Sequence, residues 1–252
     1  MKVKSYGLSN VGMKRSQNED SYLVNDDLSL YVVADGMGGH LGGEFASRLT
    51  VSTIEEVISR LSNPEATQIH GVNGEANVYG ERLRFAISEA SKRVFEQAQY
   101  DETLKGMGTT TVAILLDRKN AYVANVGDSR AYLVRDHEIE QITEDHSLVS
   151  EQIKAGLINP EDARGHRFKN IITRSVGYQE EVQSDLVVEA LQVGDRILLC
   201  SDGLSNMLED DDLLDIIGQC PLKEACEKLI LLANQRGGDD NITAVIIEVL
   251  DS

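Results

Sequence analysis

Four aspartates fall where runs of apolar residues stop. Asp35 follows "SLYVVA" (29–34), Asp128 in "NVGDSR" follows "AYVANV" (121–126), Asp202 in "LLCSDG" follows "DRILLC" (195–200), and Asp240 in "GGDDN" precedes "ITAVIIEVL" (242–250). A lone Asp-Gly after an apolar run reads as a type I′ hairpin turn. The flanks disagree here, because Asp35-Gly36 leads toward a helical pattern and Asp202-Gly203 into "LSNML" and the helix-like "DDLLDII". Glycines that make no hairpin suit a close approach of backbone to a ligand, and "VVADGMGGHLGGE" (32–44) carries five of them between Gly36 and Gly43. Two carboxylates about 4 Å apart repel by roughly 4 kcal/mol at an effective dielectric of about 20, so a convergent cluster protonates, separates or takes up cations. Oxygen ligands without Cys or clustered His point to Mg²⁺ or Mn²⁺ rather than Zn²⁺. Two such ions sharing a carboxylate can activate water and clamp a phosphoryl group, with a glycine carbonyl reaching a metal directly.

Composition removes other chemistries. With 252 residues, 41% of them apolar, the chain can build one large core, and no linker divides it. A formal charge of -18 disfavours nucleic acid as a partner. No apolar run is long enough for a membrane span, and "MKVKSYGLSN" lacks the core of a signal peptide, so a cytoplasmic protein is expected. Cys200, Cys220 and Cys226 form neither a CxxC pair nor a Cys-x5-Arg motif, and Cys200 reads as strand packing. Gly36-x-Gly38 is not continued as a dinucleotide loop, and no GxxxxGK[ST] occurs.

The elements that must position the acids alternate between strand and helix. Apolar β-rich runs cover 29–34, 110–116, 121–126, 130–135, 195–200 and 242–250, and the middle three, with turn-sized gaps, predict an antiparallel meander. Helical spacing covers 44–61, 83–98 and 222–233, while 64–80 reads as a loop. The section 144–177 is polar, with a modest helix over 148–155 and a second start signal at 159–162. The acid run 209–212 reads as a solvated helix start. Short hairpin gaps outnumber parallel crossovers, which predicts an α+β fold: an antiparallel β-sandwich flanked by helix pairs in α-β-β-α layers.

"RSQNED" (15–20), "VADGMGGH" (33–40), "GMGTT" (106–110), "NVGDSRAYL" (125–133), "TEDHSL" (143–148), "IITRSVG" (171–177), "LLCSDGLSNML" (198–208) and "GGDDNITAVII" (237–247) together resemble the ordered motifs of metal-dependent type 2C serine/threonine protein phosphatases of the bacterial branch. The resemblance covers almost the whole chain. It implies a single phosphatase domain over 1–252 with a small flap subdomain at 144–170, and hydrolysis of phosphoserine and phosphothreonine by metal-activated water. Carried over by position, Asp35 bridges two core Mg²⁺ or Mn²⁺ ions, Asp202 and Asp240 complete the first, and the Gly36 carbonyl binds the second with Glu19 acting through water. Asp128, with Asp202, matches a weaker third ion. Arg15 matches the substrate-phosphate ligand, and Asp20, Asp239, Asn241 and His40 are candidates for the layer behind.

The same resemblance implies phosphorylated substrates of a serine/threonine kinase and a monomer that binds neither nucleic acid nor membrane. One position departs from the pattern: Met37 stands where animal-type members carry a histidine thought to protonate the leaving oxygen. His40 and a water on the third ion are the two remaining donors. Two other readings stay open, a phosphatase dedicated to an anti-sigma-factor antagonist and a catalytically silent phosphoprotein-binding module.

Overall fold

The computed structural model describes all residues except 39–41, 63–77, 160–161, 163–164 and 252. The first half contains β1 (Lys2–Asn10), β2 (Asp20–Asn25), β3 (Leu30–Met37), α1 (Gly42–Ser62), α2 (Val78–Tyr100), β4 (Gly108–Thr109), β5 (Thr111–Leu116) and β6 (Asn120–Val126). The second contains β7 (Arg130–Arg135), β8 (Glu138–Gln141), α3 (Leu148–Lys154), β9 (Asp185–Ala190), β10 (Arg196–Cys200), α4 (Asp202–Ser205), α5 (Asp210–Gln219), α6 (Leu222–Gln235) and β11 (Ile242–Asp251). One sheet runs β1-β11-β10-β7-β8 and the other β2-β3-β5-β6-β9, with the short β4 on β3. Every pairing within the two sheets is antiparallel.

Three apolar layers explain why the central strands are apolar on both faces. Tyr31, Val33, Val112 and Ile114 meet Leu133, Ile197, Leu199 and Val245 between the sheets. Leu30, Val32 and Ala34, pointing the other way from β3, pack beneath α1 and α2 on Ile54, Ile58, Leu83 and Ile87. Leu198, Cys200, Ala244 and Ile246 pack beneath α5 and α6 on Leu213, Ile217, Cys226 and Leu229. The period-2 alternation of a strand thus feeds two cores at once, giving the expected α-β-β-α order. Arg196 fastens the outer layer by donating to Glu248 Oε1 at 2.6 Å and to the carbonyls of Ile217 and Cys220 at the end of α5. The 209–212 acid run is a helix start: Asp212 accepts the Glu209 N–H at 2.9 Å and pairs with Arg236.

The expected meander over 110–135 is broken. β5 and β6 form a hairpin across Asp117–Asn120, where the Asp117 carboxylate accepts the Lys119 and Asn120 N–H groups at 2.6 Å each. β7 instead crosses to the other sheet and pairs with β10 and β8. Gly127, at φ +102°, makes that crossing, which carries Asp128 to the rim between the sheets. In the 144–170 section α3 matches the predicted helix over 148–155, with Ser147 as its cap. The second start signal at 159–162 lies partly outside the described residues.

Ile197 is fully buried in the layer between the sheets. Ile197→Ala is expected to lower unfolding free energy by about 2–5 kcal/mol, measured as a shift of the urea midpoint at constant slope. Val188→Ala, at a half-exposed site on the edge strand β9, should stay within about 0.5 kcal/mol of the parent.

Candidate active site

Antiparallel order brings the carboxylates together. The C-terminal ends of β3, β6 and β10 and the N-terminal ends of β2 and β11 share one rim of the sandwich. Asp20 is directly opposite Asp35 in the β2–β3 register. On each strand the side chains facing the other sheet are apolar until the rim, where the same row continues in polar residues. Asp35 follows Tyr31 and Val33, Ser201 follows Ile197 and Leu199, and Thr243 and Asn241 precede Val245 and Ile247. These end residues bind across the gap: Asp20 Oδ2 accepts from Ser201 Oγ at 2.8 Å and from Thr243 Oγ1 at 2.6 Å. A buried carboxylate therefore joins the two sheets at the place where the apolar layer stops.

An open pocket of about 550 Å³ sits on this rim, lined by Glu19, Asp35, Asp128, Asp202 and Asp240, with Lys14 and Arg15 as the only cations among the described residues. Arg15 Nη2 donates to Asp240 Oδ2 at 2.7 Å while its side chain stays half exposed at the mouth. Asn206 donates to Asp202 Oδ2 at 3.0 Å. Asn241 holds the N-terminal loop, accepting the Glu19 N–H at 2.7 Å and donating to the Val11 and Gln17 carbonyls at 2.9 Å each. Behind Asp35, Thr110 Oγ1 accepts the Asp35 N–H at 3.1 Å and shares a 2.7 Å hydrogen bond with Ser129 Oγ. Gly36 is required by packing: a Cβ there would collide with the Gly43 carbonyl and approach the Glu19 carbonyl to 2.6 Å. The Glu19 carboxylate lies against Gly43 in the first turn of α1, where free N–H groups favour a negative charge.

The electrostatics of this rim are one-sided. Burial, then the charges of Asp20, Asp202, Asp128 and Asp240, drive Asp35 well above the carboxylate range. Burial, then Asp202 and Asp145, pushes Asp128 up to about 8. Burial lifts Asp20 to about 7 against the hydrogen bonds from Thr243 and Ser201, and raises Asp202 with help from Asp240. Among the described residues, the buried Asp20 Oδ1 and Asp202 Oδ1 find no hydrogen-bond donor. Oxygen donors only, deficient in positive charge and with orphaned buried lone pairs, fit hard divalent cations. Among the described residues no three His, Cys, Asp or Glu side chains close a ready-made cage.

Of the residues expected from the sequence, Arg15, Glu19, Asp35, Gly36, Asp128, Asp202, Asp240 and Asn241 line one pocket, and Asp20 lies directly behind it. Asp239 is exposed and does not line it. His40 lies outside the described residues. The sequence reading missed the hydroxyls of Thr110, Ser129, Ser201 and Thr243. For Ser129 and Ser201 the signal is a place next to Asp128 and Asp202, whereas Thr110 and Thr243 have no such neighbour and meet Asp35 and Asp20 only through the fold. It also missed His146, whose ring Nδ1 accepts the Gly127 N–H at 3.1 Å while its backbone N–H donates to the Gly127 carbonyl at 2.9 Å. Cys200 packs as expected, its buried thiol pushed up to about 12.

Comparison with known proteins agrees with this geometry. Residues 13–245 match the family described as protein phosphatase 2C. The chain is 39% identical over 241 residues to the serine/threonine phosphatase stp of Listeria monocytogenes, covering 94% of this chain and 92% of that one. It superposes with a TM-score of 0.88 at 32% identity on the serine/threonine phosphatase PstP/Ppp of Mycobacterium tuberculosis, covering 99% of both chains. A catalytic domain of PstP in complex with two manganese ions gives 0.85 at 34% identity, again over 99% of both. With a rim of cation-hungry carboxylates on a two-sheet sandwich and a match spanning nearly its whole length, the chain belongs to the protein phosphatase 2C family of metal-dependent serine/threonine phosphoprotein phosphatases.

Proposed function

We propose that the rim pocket binds phosphoserine and phosphothreonine side chains of proteins and hydrolyses them with two core cations, Mg²⁺ or Mn²⁺, and a weaker third. The observation that carries the reading is the set of five carboxylates on one pocket with a half-exposed arginine at its mouth. Asp35, Asp202, Asp240 and the Gly36 carbonyl would hold the core pair, with Glu19 acting through water. Asp128 and Asp202 would hold the third ion. The cations neutralise phosphoryl oxygens and lower the pKa of water.

The chain's own groups do the positioning. Arg15, released from Asp240, presents a planar guanidinium that can grip two phosphoryl oxygens and fix the line of attack. Asn241 fixes the loop that carries Arg15 and Glu19. Asp20, held by Ser201 and Thr243, sets the charge behind Asp35. Met37 lines the pocket and has no proton to give, so the leaving oxygen must take its proton from His40 or from water near Asp128. The 144–170 flap, rooted by His146 beside Asp128, would meet protein substrates. A silent binding module has no use for so many desolvated acids.

The substrates would be products of a serine/threonine kinase, met by a monomeric chain in the cytoplasm. Among the described residues no helix is long and apolar enough to cross a membrane.

Asp35→Asn, Asp202→Asn and Asp240→Asn are each expected to lower phosphothreonine-peptide turnover by about a hundredfold or more. Chelation should abolish turnover in the parent and Mn²⁺ restore it. Activity within tenfold of the parent in any of the three would remove the core assignment.

Asp128→Ala should retain two tightly bound metal ions by calorimetry yet lose turnover. The loss should be about tenfold or more on a phosphoserine peptide and smaller on p-nitrophenyl phosphate, whose phenolate departs with little need of a proton. Loss of the tight ions would move Asp128 into the core.

Stability should respond to pH in the direction the raised carboxyls dictate. Unfolded, Asp20 and Asp128 titrate near about 4, and folded near about 7 and about 8, so in that window the folded state binds more protons. Without divalent cations, Tm should therefore fall as pH rises from about 5 to 8. Mn²⁺ replaces those protons, so its stabilisation in a thermal melt should be larger at the upper end. A gain independent of pH would contradict the linkage.

A further inference from the structure

Next to the catalytic pocket, and sharing its Met37 and Ile172 wall, lies a second groove of about 660 Å³, a size that suits a ligand. No step of phosphate-ester hydrolysis uses it. Its other walls include Arg174, Ser175, Tyr178 and Val182. The inner wall is rigid. Val176 is fully buried and exchanges two backbone hydrogen bonds with Thr109, at 2.8 and 3.1 Å. Thr109 Oγ1 and the Thr110 N–H both donate to the Asp35 carbonyl at 2.8 Å, so this wall and the strand bearing the acid form one hydrogen-bonded unit. From behind, buried Ser91 Oγ accepts the Gly177 N–H at 3.0 Å and donates to the Gln179 carbonyl at 2.9 Å.

On this fixed base the rim presents apolar surface. The Tyr178 ring, 73% exposed, stands on the loop that Ser91 staples to α2. Ile172 and Val182 are half buried beside it. Arg174, the one cation among the described residues lining the groove, is already committed, with Nη1 2.7 Å from Asp185 Oδ1. A single exposed aromatic means little alone. One held on a rigid loop, over a groove that shares Met37 and Ile172 with the catalytic pocket, is a preformed contact surface that loses little entropy on binding.

We infer that this groove seats the extended polypeptide on one side of the substrate's phosphoresidue, with an apolar substrate side chain packed against Tyr178, Ile172 and Val182. The inference rests on the phosphatase reading above and adds to it a source of sequence preference. A small phosphomonoester fills the first cavity only, so the second contributes nothing to its turnover. Because Arg174 is neutralised by Asp185 in a chain of charge -18, apolar flanks are favoured over acidic ones.

The test uses the whole protein with Mn²⁺ and four probes: p-nitrophenyl phosphate, a phosphothreonine peptide flanked by leucines, the same peptide cut back to the phosphothreonine on either side, and an aspartate-flanked version. Tyr178→Ala should lower kcat/KM on the leucine-flanked peptide about tenfold, mainly through KM, and leave p-nitrophenyl phosphate within about twofold. Tyr178→Phe should behave as the parent. One of the two truncations should cost the parent a similar factor and make it insensitive to Tyr178→Ala, the coupling that direct contact requires. The aspartate-flanked peptide should be the poorer substrate. Equal losses on peptide and p-nitrophenyl phosphate, no loss on either, or a Tyr178→Ala effect that survives both truncations would overturn the groove while the parent's turnover keeps the phosphatase reading. A parent that hydrolyses none of the probes would defeat that reading, and the groove with it.

Discussion

Crowded carboxylates in a desolvated pocket repel one another, and much of the molecule is arranged to bear that repulsion. Asp35, Asp128 and Asp202 are each pushed toward the protonated form first by burial and then by neighbouring carboxylates: Asp20 and Asp202 act on Asp35, Asp202 and Asp145 on Asp128, and Asp240 on Asp202. An isolated carboxyl would relax by turning toward water. Here the strand ends forbid it, because Asp35 continues a row whose preceding members, Tyr31 and Val33, are locked in the layer between the sheets. A slip of one residue in β3 would exchange that row with Leu30, Val32 and Ala34, burying a charge beneath α1 and opening the inter-sheet layer. The fold therefore stores an unfavourable charge arrangement that hard cations relieve, and the stability of the rim and its capacity for metal become one property.

The hydroxyls at the rim show how the cost is contained. Asp20 spans from one sheet to Ser201 and Thr243 on the other, and the Thr243 N–H donates in turn to Ser201 Oγ at 3.0 Å. Each of these groups would be a buried polar defect alone, and together they satisfy one another. Among the described residues one oxygen of Asp20 finds no donor, nor does one of Asp202. The network is complete on the side facing the apolar layer and incomplete on the side facing the acids, which is the polarity a cation site needs.

Central strands and acids were legible in the sequence because both follow from burial. A run apolar on both faces announces a strand covered by helices on one side and a sheet on the other, and acids at the ends of four such runs, two of them with flanks that make no hairpin, outweigh the turn that one alone would suggest. The strands missed were the two-residue β4 and, more tellingly, β1, β8, β2 and β9, the four edges of the two sheets. Half-exposed and paired on one side, they carry polar residues such as those of "EIEQ", and their alternation is too weak to stand out. The broken meander was illegible for a different reason: Gly127 turns the chain between sheets, and a turn within a sheet has the same local composition. The glycines beside Asp35 were read as room for a ligand, whereas Gly36 is also demanded by the Gly43 and Glu19 backbones, a constraint visible only once distant segments meet.

The two segments proposed to meet substrate are tied to the rim at matching places. The flap root is held by the double hydrogen bond between His146 and Gly127, one residue from Asp128. The groove wall is held by Val176 on Thr109, whose hydroxyl donates to the Asp35 carbonyl. Neither tie runs through a metal-binding oxygen, so each segment can vary its exposed residues without altering the ligand set. Both ties end beside an acid, so a displacement of either segment is transmitted to the carboxylate it adjoins. Substrate preference and charge placement are thereby separated in composition but joined in mechanics, and a family built this way can change what it recognises by altering loops while the rim carboxylates stay where the sheets put them.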